Sequence, residues 1–376
     1  MKLVIFGLTI SSSWGNGHAT LWRALCRSLA RRGHRIAFFE RDVPYYATHR
    51  DLVELPGVDL FLYSNWTDIL PSAREQLAEA EVGMITSYCP DALAATDLVL
   101  SSPVLLRTFY DLDTPVTLER LKRGQQVDYI GSGGLSDFDL VLSYTGGLAL
   151  KELQYRLFAR RVAALYGSVD PELHRPVSRA NDWADLSYLG TYAEDRQAAL
   201  NALLIEPARR LPHLRFAIGG SLYPAAFPWT RNIFYLWHVP PAQHPAFYCS
   251  SKLTLNVTRQ AMADMGYCPS GRLFEAAACG VPILSDWWEG LDQFFEPGSE
   301  IIVAGETDEA IEAITRPSEQ LAVIAKAARE RTLDEHTSDH RALELETILE
   351  SAFRPSDEEI RMPAVMTGGD PGRREH

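Results

Sequence analysis

Ser270-Gly271-Arg272, with Glu275 three residues on, brings backbone donors, a cation and a carboxylate to the start of one helix. Ser270 suits a helix cap, because its hydroxyl can accept from an orphan backbone amide. Beyond it, free N–H groups and the positive end of the helix dipole point outward, and Arg272 adds a permanent forked donor. A diphosphate fits such a head. Arg272 and Glu275 share a helix face, so Glu275 could accept hydrogen bonds from a ribose diol. The competing reading of the same spacing is an Arg–Glu pair on an ordinary surface helix.

Groups that could move a proton lie in the first half. The loop Gly15-Asn16-Gly17-His18 surrounds a histidine with small neighbours, leaving it free to take a proton from a hydroxyl. The bland alternative is a histidine that caps the next helix. A strand at 107–113 ends in Asp111 and Asp113, either of which could bind hydroxyls or act as a base. Asp113 could equally cap the helix that Pro115 opens.

The elements that must hold these residues read as alternating strands and helices. Residues 2–7 form a strand, 11–20 a loop, 21–32 a helix stopped by Gly33, and 35–39 the next strand. Further strands are expected at 59–63, 82–86, 98–100, 138–144 and 161–165. A second set follows at 186–189, 214–218, 232–237, 253–257, 281–284 and 301–304, then helix from 308 to 353. Gly280 sits where a left-handed helix stop belongs, and Pro282 prevents resumption. The pattern is α/β, with two doubly wound halves. In the second half, Arg196 and Arg259 are further phosphate candidates, and each is otherwise a surface charge. Trp287 could stack a sugar or close a domain interface.

The totals narrow the functions. A chain of 376 residues is long enough for two full cores. Its net charge of −13 argues against nonspecific nucleic-acid binding, which needs a positive footprint. Five cysteines without metal-ligand spacing read as reduced thiols of a cytoplasmic protein, with no metal site. No apolar run reaches membrane-span length, and the basic helix at 21–32 reads as a solvated face rather than a membrane contact.

The run Glu275-Ala276, Ala278, Gly280, Pro282 and Asp286 resembles the nucleotide-sugar half of retaining GT-B glycosyltransferases of the family 4-like type. From Arg272 through Phe294-Phe295-Glu296-Pro297-Gly298 it is similar to the spore maturation (CgeB-like) branch. The resemblance implies two Rossmann-like domains facing a central cleft. An acceptor-binding domain would span 1–170 and a donor domain 171–335, with a returning helix at 336–353 and a disordered tail at 354–376. It implies donor contacts from Gly190, Arg196, His238, Arg259, Ser270, Gly271, Arg272 and Glu275. Acceptor contacts would come from Asn16, Gly17 and Trp287, and proton transfer from His18, Asp111 or Asp113. The implied reaction is metal-independent sugar transfer from a nucleoside diphosphate to a hydroxyl, without a cofactor. Asp111-x-Asp113 is also the metal signature of the GT-A fold, but two α/β halves do not suit that fold. Tyr267 stands where many relatives carry a sugar-binding Glu. A nucleotide-sugar epimerase and a non-catalytic sugar-nucleotide-binding protein are the alternatives.

Overall fold

The computed structural model describes residues 1–178 and 183–354. The first domain is built on β1 (Lys2–Gly7), β2 (Arg35–Arg41), β3 (Val58–Tyr63), β4 (Val82–Thr86), β5 (Leu106–Asp111), β6 (Leu140–Ser143) and β7 (Val162–Ala164). The second is built on β8 (Ala184–Leu189), β9 (Phe216–Gly220), β10 (Ile233–Trp237), β11 (Ser251–Asn256), β12 (Ile283–Ser285) and β13 (Ile302–Val303). The sheet orders are β3-β2-β1-β4-β5-β6-β7 and β10-β9-β8-β11-β12-β13. Every strand pairing in both sheets is parallel.

Helices cover both faces of each sheet, so central strands such as β1 and β4 are buried throughout. The strand order reverses beside β1 in one domain and beside β8 in the other, and doubly wound sheets bind ligands at that reversal. Sequence and structure part at 98–100, the expected strand. These residues end the helix Ala92–Leu100, and the chain enters the sheet only at Leu106. A short apolar run does not distinguish a buried strand from a buried helix end.

The chain crosses between the domains twice. After β7 it passes Asp170, whose carboxylate pairs with Arg27 on the helix Gly17–Arg31. At the other end, the helix Ser338–Ala352 packs back onto the first domain. Leu345 and Leu349 join a core with Leu3 and Trp22. Arg32 and His34 both pair with Glu346, and Ser28 and Ser338 share a hydrogen bond of 2.9 Å. Of the tail expected at 354–376, all but Arg354 lies outside the described residues.

Candidate active site

The C-terminal ends of both sheets open onto one cavity of about 540 Å³ between the domains. Its second-domain wall is the head of the helix Gly271–Ala278. Ser270 caps that helix by accepting from the Arg272 N–H at 3.4 Å. Leu273, Phe274, Ala276, Ala277 and Ala278 are buried, so the alanines let the helix sink into the domain while its first turn stays at the cavity. Gly280 ends the segment at φ +72°, a left-handed position that a side chain would strain. Gly271 has open space where a Cβ would stand.

Arg272 and Glu275 do not form the surface pair. Arg272 turns back to donate to the Leu189 carbonyl through Nε and to Asn256 Oδ1 through Nη1 at 2.8 Å. Its guanidinium also lies over Tyr188, with 5.1 Å to the ring centroid. These anchors hold a cation at the end of β8. A Cβ on Gly190 would stand 2.9 Å from Arg272 Nη2. Arg196 donates to the Thr191 carbonyl at 3.2 Å and keeps a buried Nε without a partner. Arg259 donates to Asp195 Oδ2 at 3.0 Å. Arg196, Arg259 and Arg272 all line the cavity.

Glu275 lies one turn deeper. His244 Nδ1 stands 3.3 Å from its Oε2, the Tyr248 hydroxyl donates to the same oxygen at 3.2 Å, and His174 Nε2 is 3.9 Å away. Burial opposes ionisation here, but the interactions with His174 and His244 outweigh it and lower the carboxyl to about 2, even though burial also lowers the pKa of His174. Among the described residues, His174, His244 and Glu275 offer ligand atoms within 4.8 Å of one another, a grouping that could hold a metal ion.

The opposite wall belongs to the first domain. Buried Glu40, on β2, accepts from Thr9 Oγ, the Ile10 and Ser11 amides and Ser11 Oγ, at 2.6–3.0 Å. That fixes the loop after β1. Asn16 then caps the next helix, accepting the His18 N–H at 3.1 Å. His18 is therefore not the cap, and its ring is free for another role. His18 Nε2 faces Asp113 Oδ2 at 3.5 Å, while Nδ1 is buried without a partner. Asp113 occupies the cap position of the helix Thr114–Lys122, yet its side chain makes no capping bond. Burial would raise its pKa, but the interactions with His18, Arg259 and Tyr88 keep it below the ordinary carboxylate value.

Two candidate residues stand elsewhere. Asp111 is fully buried beneath the cavity floor. Its Oδ1 accepts the Asp113 N–H at 3.1 Å, and burial pushes its carboxyl up to about 6. It supports the turn that presents Asp113 and does not reach a ligand. On a continuing strand the two carboxylates would share a face, but the strand ends at Asp111 and the chain turns before Asp113. Trp287 is half-exposed and does not line the cavity, whereas its neighbour Trp288 is buried in the core. Asn16, Gly17, Gly190, His238, Ser270 and Gly271 do line it. The His238 ring packs 4.6 Å from Trp14 across the cleft.

Several participants gave no sequence signal. His174 and His244 belong to segments 70 residues apart, 174 against 244, and meet only through the fold. Tyr88 follows β4 at φ +63° and contacts the His18 ring at 6.1 Å between centroids. Its left-handed backbone is the kind of local strain that functional loops retain, and nothing in its neighbours announces it.

These features define a GT-B architecture, two Rossmann-like domains with the site between them. Residues 196–347 match a family model described as glycosyl transferase-like. No curated protein matches the chain. Among solved structures, sucrose-phosphate synthase from Thermosynechococcus elongatus is similar at 12% identity, with a TM-score of 0.68 over 94% of this chain and 99% of that one. HepE from Anabaena, solved with UDP and glucose, is similar at 13% identity, with a TM-score of 0.65 over 93% and 100% of the two chains. A glycosyltransferase from Rickettsia africae follows at 10% identity, with a TM-score of 0.62 over 94% and 99%. Among the described residues, no helix is long and apolar enough to cross a membrane.

Proposed function

We propose that this protein transfers a sugar from a nucleoside diphosphate to a hydroxyl acceptor. The observation that carries the proposal is the pairing of two unlike walls. One wall has a helix head and three arginines, Arg196, Arg259 and Arg272; the facing wall has His18 backed by Asp113. Negative charge builds on the departing diphosphate, and fixed donors aimed at that charge lower the barrier. The amides around Gly271 and the three guanidinium groups supply those donors, so this reading places no divalent cation on the diphosphate. Glu275 accepts from the ribose hydroxyls. His18, with Asp113 facing its Nε2, forms the pair that takes the acceptor proton. Asn16 and Gly17 shape the acceptor end.

The glycosyl transferase-like match over 196–347 and the UDP-bound HepE neighbour support a nucleotide-sugar donor. The CgeB-like branch remains a reading of the 272–298 run. A hexose is the proposed sugar, a hydroxyl compound the proposed acceptor, and the cytoplasm the proposed location. No nucleic-acid or membrane partner is proposed.

A panel of nucleoside diphosphate sugars tests the reaction. Incubation with mixed hydroxyl acceptors should release nucleoside diphosphate and yield a new glycoside. Epimerised donor without acceptor, or tight binding with no turnover, would contradict the proposal.

A further inference from the structure

We infer that His174 and His244 are positioning residues for Glu275, fixing which of its oxygens faces the donor. The inference rests on the reading of Glu275 as the acceptor of the ribose hydroxyls. His244 Nε2 faces the Val239 carbonyl at 3.1 Å. A carbonyl only accepts, so that nitrogen carries a proton. Nδ1 stands 3.3 Å from Glu275 Oε2, and the ring bridges the two acceptors when both nitrogens donate. The Tyr248 hydroxyl and His174 converge on the same oxygen. Oε2 is thereby held by His244 and Tyr248 with the His174 ring alongside, and Oε1 is left for a ligand in the cavity that Glu275 lines.

His174 does this from the segment that joins the domains. It is 1% exposed, and neither ring nitrogen has a hydrogen-bond partner. A buried imidazole in that state costs stability, and the charged group it faces is Glu275. Its backbone N–H donates to the Asp170 carbonyl at 2.8 Å, and the Asp170 side chain pairs with Arg27. Arg27 lies on the helix that begins at Gly17 and carries His18. One short turn therefore connects the donor carboxylate with the helix that presents the proposed base.

A metal ion is the competing occupant of this trio. Metal–ligand bonds of about 2.0–2.1 Å bring tetrahedral ligand atoms to roughly 3.4 Å from one another. His174 Nε2 to Glu275 Oε2 is 3.9 Å, wider than that spacing. A hydrogen bond between His244 and Glu275, with the His174 ring alongside, is the better account.

The test uses calorimetric titration of UDP, GDP, ADP and CDP, then the 2′,3′-dideoxy form of whichever binds tightest. The wild type should prefer the ribonucleotide by about tenfold or more, the worth of a hydrogen bond to a charged group. In His174→Gln and His244→Gln, ribonucleotide affinity should fall about tenfold while dideoxynucleotide affinity stays unchanged. The unchanged affinity also shows that the variants are folded. Variants that keep the wild-type preference, or lose both affinities equally, overturn the positioning role. A wild type with no preference overturns the ribose reading itself. Stoichiometric metal in the purified protein, with the preference abolished by a chelator, would assign the trio to a metal instead.

Discussion

A Cβ added to Gly190 would stand 2.9 Å from Arg272 Nη2 and 2.8 Å from the Tyr188 hydroxyl. Gly190 follows β8, and Arg272 opens the helix that approaches it, so the glycine admits the guanidinium to the end of the sheet. Gly190→Ala should push Arg272 out of place and weaken nucleoside diphosphate binding by about tenfold, as expected for one lost charged hydrogen bond. Titration calorimetry checks this, with circular dichroism to confirm the fold.

His18 and Asp113 should fail differently from the arginines. His18→Ala and Asp113→Asn are expected to lower kcat by about 10²–10⁴, the usual worth of general-base catalysis. Donor affinity should be nearly unchanged. Steady-state kinetics and direct donor titration separate the two effects. A raised KM at constant kcat would instead assign the pair to binding.

Much of this site was legible before the fold. The Ser270 cap, the helix head and the Gly280 stop follow from local chemistry that the tertiary structure does not override. His18 was legible because small residues flank it. Asp111 and Asp113 could not be ranked, since a strand end does not reveal which carboxylate turns inward. Trp287 and Trp288 pose the same problem, since adjacent loop residues do not reveal which one is exposed, and neither lines the cavity. His174 and His244 were not legible at all, because their meaning lies in a contact between distant segments.

Acid should destabilise the protein in two windows. Burial, with the nearby charges of Arg341 and Arg331, lowers the His336 pKa from 6.5 to about 3. The unfolded chain therefore binds a proton there that the folded chain refuses, and stability falls as pH drops from 6.5 toward 3. Glu275 is lowered from 4.5 to about 2, so its contribution is complete above 4.5 and is lost as pH falls through about 2. His336→Phe, within the ring cluster of Phe274, Phe294 and Phe295, should reduce the slope of the upper window, to which buried His174 also contributes. The removed slope is on the order of a few kcal/mol. Urea unfolding from pH 7 to pH 4 measures it.

In the proposed reaction a diphosphate sits at the head of the Gly271–Ala278 helix. Gly271→Asp tests it most directly. Nothing lies within 4 Å of the Cβ this change adds, and a carboxylate in the first turn favours the helix dipole. The melting temperature without ligand should hold or rise slightly. The melting-temperature increase given by saturating nucleoside diphosphate should vanish, because the new charge occupies and repels the phosphate site. An undiminished ligand-induced increase in Gly271→Asp would contradict the account.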